Sequence, residues 1–286
     1  MKKIAIITTL LVAGSAQATT KGTKVIYGDD NRVDVINSQD TMYIELSKST
    51  AAMIEDNRIS TARNGEVKLK GSSLQSRGMC ASERFSEQPT VANCSGFLVG
   101  DDLLVTAGHC VRSQRDCKKN KWVFDYKINH DGQTDITVPK NSVYSCKKVI
   151  NTVLNNSNMD DFALIQLDRN VTDRRVLDYR RNGKVTKGTK LVVIGHPSGL
   201  PTKIADGAEV RSLNGKYFSA NLDTYGGNSG SAVFNATTGV IEGILVRGAT
   251  DYVYDGSQGC RVSNVIGNNE GRGEDVTYIT NIPELK

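Results

Sequence analysis

Short apolar segments, each bounded by glycine, asparagine or aspartate, constrain the fold of this chain more than any other feature. Seven of them have the length and composition of β-strands: SGFLVG, LLVTAG, WVFDY, DFALIQL, KLVVIG, SAVFN and VIEGILV. Helical periodicity over a dozen residues is scarce, and STAAMIEDNRI is the one weak helical candidate. The pattern predicts an all-β fold built as a sandwich or a barrel.

The length of the chain allows these strands to form one large domain. The stretch from Cys80 to Lys286 is long enough for two packed barrels, which we place at about residues 80–175 and about residues 185–282. Residues 19–79 are then an N-terminal extension. No internal repeat and no low-complexity linker divides the sequence.

The first eighteen residues, MKKIAIITTLLVAGSAQA, have the features of a secretory signal peptide. Two lysines precede an apolar run of about ten residues, and AQA offers a small-residue cleavage site. A membrane anchor would need about twenty apolar residues, and no later segment approaches that length. We therefore expect residues 1–18 to be removed and the protein to be secreted or periplasmic, with no membrane anchor.

All six cysteines lie beyond that segment, and none of them forms a CxxC pair. An even number of cysteines in an exported chain favours disulfides over metal ligation. A hairpin formed by FLV and LLV around the turn GDD would bring Cys94 and Cys110 together. Cys117 with Cys146 is the next most local pair, leaving Cys80 with Cys260, and the pairing of these four stays open.

The charge of the chain carries little functional information. The formal net charge is +5, and removal of residues 1–18 with their two lysines leaves +3. The basic clusters CKKNKW and DRRVLDYRR lack the aromatic interleaving and repeated register of a nucleic-acid groove. We interpret them as solvated surface and expect no nucleic-acid partner.

Three polar residues stand at the ends of apolar segments, in an order that suggests catalysis. His109 closes LLVTAGH, Asp161 opens DFALIQL, and Ser229 lies in the glycine-rich turn TYGGNSGS. A serine hydroxyl becomes a good nucleophile when a base contacts it and a carboxylate fixes the tautomer of that base. Each of these three roles is represented once, and the glycines free the backbone to direct two N–H groups at a tetrahedral oxyanion.

TAGHC, DFALI and GNSGS resemble the three active-site blocks of the trypsin/chymotrypsin-like serine peptidases, in the same chain order. The resemblance covers roughly Cys80 to the C-terminus and implies a chymotrypsin-like double β-barrel with His109, Asp161 and Ser229 as the catalytic triad. It also implies an oxyanion hole made by the N–H groups of Gly227 and Ser229, and it supports a Cys94–Cys110 disulfide.

GGNSGSAVFN, VIGHPSGLP and VIYGDDNR are similar to segments of the bacterial glutamyl-endopeptidase-like branch of that family. VIYGDDNR resembles the mature N-terminus of the branch, which suggests cleavage of a pro-segment after Lys24. The chain departs from the branch where acid-specific members carry a histidine, since Leu245 or Val246 stands there. The three expected disulfides and the long extension are further departures.

Other candidates compete for the roles in the triad. Asp160 precedes Asp161, but Asp161 directly adjoins the apolar run and is favoured. His130, in INHDGQ, is interpreted as part of a polar turn. His196, before a proline, is interpreted as a loop residue near the site and not as a catalytic base.

The resemblance places the primary specificity pocket just before the oxyanion-hole glycine. Asp223 occupies the position where trypsin-like members hold the carboxylate that receives lysine or arginine, and Thr224 matches a pocket threonine of the acid-specific branch. Val246, Arg247 and Gly248 should pair as a strand with the substrate backbone. We expect cleavage after Arg or Lys, unless Arg247 neutralises Asp223 and the pocket takes small, polar or acidic residues.

The sequence thus predicts an exported serine endopeptidase that acts on proteins or peptides, and we expect it to be a monomer. The chemistry requires no cofactor or metal, and a structural calcium ion stays an open alternative. Two other functions fit the same residues, namely an esterase or acyltransferase using this triad and a non-catalytic binding protein on this fold.

Overall fold

The computed structural model describes residues 25–62 and 64–286, which form two six-stranded antiparallel β-barrels. The predicted signal peptide and the segment Thr19–Lys24 lie outside the described residues. Among the described residues, no helix is long and apolar enough to cross a membrane.

The first barrel closes around a core that contains the buried indole of Trp122. All seven predicted strands are present, three of them in this barrel together with the start of WVFDY. Its strands, in order around the barrel, are Asn120–Val123, Val143–Asn155, Asp160–Leu167, Leu103–Thr106, Cys94–Leu98 and Thr50–Glu55.

The second barrel encloses a separate apolar cluster that includes Phe218 and Tyr278. The first and last of its six strands pair with each other and so close the barrel. Its strands, in order, are Lys190–Gly195, Ala232–Asn235, Ile241–Arg247, Glu274–Tyr278, Tyr217–Ala220 and Lys203–Leu213, to whose edge Arg32–Asp34 is added.

The remaining elements are short and cover the barrels. The small sheets consist of Ile26–Tyr27 with Val265–Ile266, Ser72–Ser73 with Pro89–Thr90, Tyr252–Asp255 with Cys260–Ser263, and Ile59–Thr61, Glu66–Leu69 and Ile136–Pro139. The α-helices are Thr41–Ser47 and Gln114–Lys119. The 3-10 turns are Val35–Asn37, Asp56–Arg58, Gln75–Arg77, Lys140–Ser142, Pro197–Gly199, Ile279–Asn281 and Pro283–Leu285.

The N-terminal boundary of the barrels differs from the one predicted at residue 80. Thr50–Glu55, inside the expected extension, pairs with Cys94–Leu98 on one side and Asn120–Val123 on the other. The weak helical candidate STAAMIEDNRI is therefore mostly this strand. Its residues Thr50 to Ile54 are all buried, and a segment buried on both faces shows no alternation from which a strand could be recognised.

Three disulfides join all six cysteines of the chain: Cys94–Cys110, Cys117–Cys146 and Cys80–Cys260. The first spans the hairpin at the end of the strand Leu103–Thr106. The third closes the longest loop, linking Cys80, directly after the predicted extension, to the strand Cys260–Ser263. These are the pairings given by the most local assignment of the cysteines.

Candidate active site

An imidazole–carboxylate pair lies between the barrels. His109 Nδ1 is 2.9 Å from Asp161 Oδ2, and Asp161 Oδ1 accepts the backbone N–H of His109 at 3.1 Å. Because a carboxylate only accepts, Nδ1 donates and Nε2 is left as the basic nitrogen. The side chain of Asp161 is 1 % exposed, whereas that of His109 is 28 % exposed. One buried carboxylate thus fixes both the ring and the backbone of a histidine that reaches solvent.

Asp160, the competing candidate, points elsewhere. Its carboxylate accepts Asn281 Nδ2 at 2.8 Å and lies 3.6 Å from Lys216 Nζ. Successive side chains of a strand project to opposite faces, so the neighbours Asp160 and Asp161 cannot both face His109.

The turn that carries His109 is held closely against the first barrel. A Cβ atom on Gly108 would lie 2.0 Å from the carbonyl oxygen of Val153, so only glycine fits there. The Cys94–Cys110 disulfide fixes the other side of His109. Cys110 Sγ lies 3.7 Å from the carbonyl oxygen of Ser229, which places the histidine turn beside the serine turn.

The serine turn is shaped by glycines on both sides of Ser229. Gly227 has φ +95° and Gly230 has φ +88°, values that L side chains rarely adopt. A Cβ atom on Gly230 would also lie 2.1 Å from the carbonyl oxygen of Ser95. Ser95 donates its backbone N–H to the carbonyl of Ser229 at 2.8 Å, so the first barrel positions the serine of the second.

Backbone N–H groups in this turn divide into two sets. Those of Asn228, Gly230 and Ser231 donate to the carbonyls of Tyr225, Leu245 and Asn228. Those of Gly227 and Ser229 donate to no acceptor in the described part of the chain. An oxyanion site requires such a pair of neighbouring N–H groups without a protein acceptor.

His196 supports this turn and is not a second base. Its N–H donates to Ser95 Oγ at 3.0 Å, and Ser95 Oγ in turn donates to the carbonyl of Gly227 at 2.9 Å. The ring donates from Nδ1 to the carbonyl of Leu200 at 3.1 Å and stacks on Tyr126. Burial lowers the pKa of His196 to about 3, so the ring is neutral at physiological pH. His130, by contrast, lies in an exposed turn.

Asp223 does not stand ready to receive a cationic substrate side chain, contrary to the prediction. Its carboxylate is 4 % exposed and accepts the backbone N–H groups of Tyr27 at 2.8 Å and Asn31 at 3.0 Å. Burial raises the pKa of Asp223 to about 6, against the opposing effect of those two bonds. Asp223 therefore anchors the N-terminal segment, whose fold position the sequence pattern did not reveal.

Arg247 does not neutralise Asp223 either. Its Nε lies 3.3 Å from Asp275 Oδ2, and its Nη1 lies 3.5 Å from Asp161 Oδ2. It also donates to the carbonyl of Met159 at 2.8 Å. The guanidinium thus lies beside the carboxylate that holds His109.

The other predicted pocket residues, Thr224 and Gly248, meet at a carboxylate that sequence reasoning missed. Glu274 Oε2 accepts Thr224 Oγ1 at 2.8 Å, and Oε1 accepts the N–H of Ala249 at 3.2 Å. A Cβ atom on Gly248 would lie 1.8 Å from Glu274 Oε2, so glycine is required for the carboxylate to fit. Glu274 opens a strand 50 residues beyond Thr224, and no motif marks it.

Val246–Gly248 has one edge available for an added strand. On one side the ladder passes from Leu245–Val276 to Arg247–Asp275, skipping Val246 as a bulge. On the other side the partner strand ends where Ile244 pairs with Ala232. The predicted substrate-binding strand therefore extends beyond its last neighbour on the side of Ser229.

One group of possible metal ligands occurs here, and its cysteines are already oxidised. Ligand atoms of Cys94, His109 and Cys110 lie within 4.8 Å of one another. Because both sulfurs belong to one disulfide, neither offers a thiolate.

Comparisons with known proteins agree with the geometry. A family model for the trypsin-like peptidase domain matches residues 94–244. Glutamyl endopeptidase of Staphylococcus aureus strain MW2 is 27 % identical over 165 residues, covering 51 % of this chain and 44 % of that protein. An uncharacterised protein, y4fB, of Sinorhizobium fredii is 25 % identical over 195 residues, covering 59 % of this chain and 28 % of that protein. The chain thus spans less than half the length of these curated relatives.

Solved structures share the fold at low identity. VesB protease of Vibrio cholerae superposes with a TM-score of 0.52 at 14 % identity, covering 89 % of this chain and 65 % of that chain. Human heparin binding protein superposes with a TM-score of 0.50 at 14 % identity, covering 82 % and 88 %.

The depressed pKa of His196 predicts a loss of stability in acid. The unfolded chain protonates this residue near pH 6.5 while the folded chain resists protonation down to about pH 3, so the contribution is present above pH 6.5 and is lost as pH falls. Between pH 7 and pH 4 we expect this loss to lower the free energy of unfolding by about 3 kcal/mol. In urea unfolding, the free energy of unfolding of His196→Gln should fall less between pH 7 and pH 4 than that of the unaltered protein. That of His130→Gln should fall as much as in the unaltered protein. Equal drops in all three proteins would contradict the prediction.

Proposed function

The chain belongs to the trypsin-like peptidase family, and on that premise we propose that it is an exported serine endopeptidase that works through an acyl-enzyme. One observation carries the proposal. The buried Asp161 orients His109 beside a turn in which the N–H groups of Gly227 and Ser229 have no acceptor in the described chain. The arrangement supplies one candidate for each role: nucleophile, base, orienting carboxylate and oxyanion donor.

In the proposed mechanism Ser229 Oγ attacks the scissile carbonyl while His109 Nε2 takes its proton. Asp161 stabilises the imidazolium that forms, and the N–H groups of Gly227 and Ser229 bind the oxyanion. His109 then protonates the leaving amine. Water enters, His109 accepts a proton from it, and hydrolysis of the ester releases Ser229. No step requires a cofactor or a metal.

The substrate backbone is proposed to pair with Val246–Gly248. The bulge at Val246 and the end of the neighbouring strand at Ala232 leave that edge available for an extended peptide. Backbone pairing would hold the residues before the scissile bond in register without dependence on their sequence.

Replacement of the nucleophile tests the proposal. Ser229→Ala should lower kcat by at least about a thousandfold, since the members of a triad act together. A serine-directed phosphonate should label the unaltered protein and not the variant. Circular dichroism and secretion should be unchanged. Retention of more than a few per cent of the activity would contradict the assignment.

Export and processing belong to the same proposal. We propose that residues 1–18 are removed on export and that cleavage after Lys24 releases the mature chain. Three disulfides favour an oxidising compartment. Val25 is fully buried, with its carbonyl accepting the N–H of Thr224 at 3.4 Å, so the start of the mature chain would lie against the pocket. N-terminal sequencing of active enzyme should give Val25, and a sequence starting at Thr19 would contradict the processing.

Two alternatives concern the reaction itself. The fold also occurs in a human heparin binding protein, so a binding protein and an esterase stay alternatives to a peptidase. Peptide and ester substrates with the same acyl group, assayed side by side, separate them. Cleavage of the ester alone indicates an esterase, and cleavage of neither indicates a binding protein.

We propose that the residue before the scissile bond is Arg or Lys. Its side chain would be received by the carboxylate of Glu274 and not by that of Asp223. Glu274 contacts Thr224 and lies against Gly248, the two residues expected to line the pocket. Glu274 is fully buried, and a carboxylate at this place, when ionised, would favour a cation over a glutamate. This argues against the specificity in the name of the staphylococcal relatives.

A peptide library tests this specificity. Arg or Lys should be preferred over Gln and Glu, and Glu274→Gln should reduce the preference over Gln by about tenfold or more. Glu87→Gln removes an exposed carboxylate elsewhere and should leave it unchanged. Melting temperatures of both variants control for folding. A preference for Glu in the unaltered enzyme would contradict the assignment.

A further inference from the structure

A polar cavity of about 430 Å³ lies beside the serine turn, and no step of the proposed mechanism uses it. The backbone of Gly226 and Gly227 forms one wall, and Asn93 forms another. Three arginines line it: Arg58, Arg77 and Arg261. We call it the arginine cavity. Its volume is in the range of cavities that bind small ligands or side chains.

The position of the arginine cavity relates it to the leaving group. In the proposed mechanism the N–H of Gly227 binds the carbonyl oxygen of the scissile bond. The residues before that bond pair with Val246–Gly248. The cavity includes none of those strand residues. Instead its wall residue Asn93 adjoins Cys94, whose disulfide holds the turn of His109. Since His109 protonates the leaving amine, the cavity lies where the residues after the scissile bond depart.

The charge of the cavity is strongly positive. Asp251 is the single carboxylate among its described lining residues, and it accepts the N–H of Gly226 at 2.9 Å. Arg77 donates to the carbonyl of Ser198 at 2.9 Å, and Arg261 donates to the carbonyl of Arg77 at 2.6 Å. Carbonyl acceptors orient these guanidinium groups without neutralising them. Three cations therefore face one anion.

The backbone that carries two of the three arginines, Arg77 and Arg261, is cross-linked. Cys80 is joined to Cys260, next to Arg261, and the backbone N–H of Arg261 donates to the carbonyl of Gly78 at 3.0 Å. This pins the chain around Arg77 to the strand Cys260–Ser263. Guanidinium groups fixed before binding lose less conformational entropy when they meet a carboxylate.

We propose that the arginine cavity is a subsite for acidic side chains on the leaving-group side of the substrate. It selects peptides with Asp or Glu within three residues after the scissile bond. The inference rests on the proposed peptidase function for the direction of the substrate. The recognition itself is electrostatic, because the cavity offers forked guanidinium donors that match carboxylates.

The binding test does not depend on catalysis. Fluorescent peptides Ala-Glu-Glu-Leu and Ala-Gln-Gln-Leu, both amidated so that side chains carry the only carboxylates, are titrated into Ser229→Ala protein. Anisotropy should show about five- to tenfold tighter binding of the acidic peptide, falling at high salt. The advantage should be lost in a background that also carries Arg58→Gln and Arg77→Gln. It should survive Arg58→Lys and the exposed control Arg175→Gln.

Kinetics separate this inference from the proposed function. A peptide anilide, which has no residues after the scissile bond, reports the peptidase alone, and quenched peptides with Glu-Glu or Gln-Gln after the bond report the subsite. The subsite proposal is overturned if the anilide is cleaved but the two quenched peptides have equal kcat/KM. It is also overturned if the two amidated peptides bind equally in the titration. If the anilide is not cleaved, the proposed peptidase function is overturned. Tighter binding of the acidic peptide would then still support the arginine cavity as a site for acidic side chains. Melting temperatures of the glutamine variants confirm folding.

Discussion

Ser95, on a strand of the first barrel, makes the hydrogen bonds on which the geometry between the barrels depends. Its N–H donates to the carbonyl of Ser229, and its hydroxyl links the N–H of His196 to the carbonyl of Gly227. Thr106 Oγ1 donates to its carbonyl from the neighbouring strand, three residues before His109. The histidine and the serine belong to different barrels, so these bonds, together with those from Arg247 to Met159 and Asp161, fix their relative position. Their burial strengthens them, because unpaired groups at this depth would cost free energy.

The N-terminal extension is part of the folded body of the protein and contacts both barrels. Thr50–Glu55 completes the first barrel, and Arg32–Asp34 extends the sheet of the second. Asp34 also meets Lys203 at 2.5 Å in the interior, where burial lowers the pKa of Lys203 to about 8. Tyr27, in the same extension, occupies Asp223. Because the N–H groups of Tyr27 and Asn31 already bond Asp223, this carboxylate is not available for recognition.

Charged side chains are distributed unequally about the serine turn. Glu274 contacts Thr224, whereas the arginine cavity is lined by Gly226 and Gly227. A substrate with a basic residue before the bond and an acidic one after it would complement both. The opposite charges of Glu274 and the arginine cavity would favour one direction of the bound peptide, since a reversed peptide would meet a like charge at each end.

The sequence by itself determined the all-β class, the export segment as a hypothesis, and the polar residues brought to the site. These depend on local patterns: alternation and length of apolar runs, and glycines that one turn requires. It indicated His109 and Asp161 as partners because both stand at strand ends. Only the tertiary structure decided which residues Asp223, Arg247 and Glu274 meet. Tyr27 and Asp223 are 196 residues apart and Thr224 and Glu274 are 50 apart; such contacts arise from barrel closure, which no local pattern encodes. The same holds for Thr50–Glu55, whose burial on both faces removed the alternation that marks a strand.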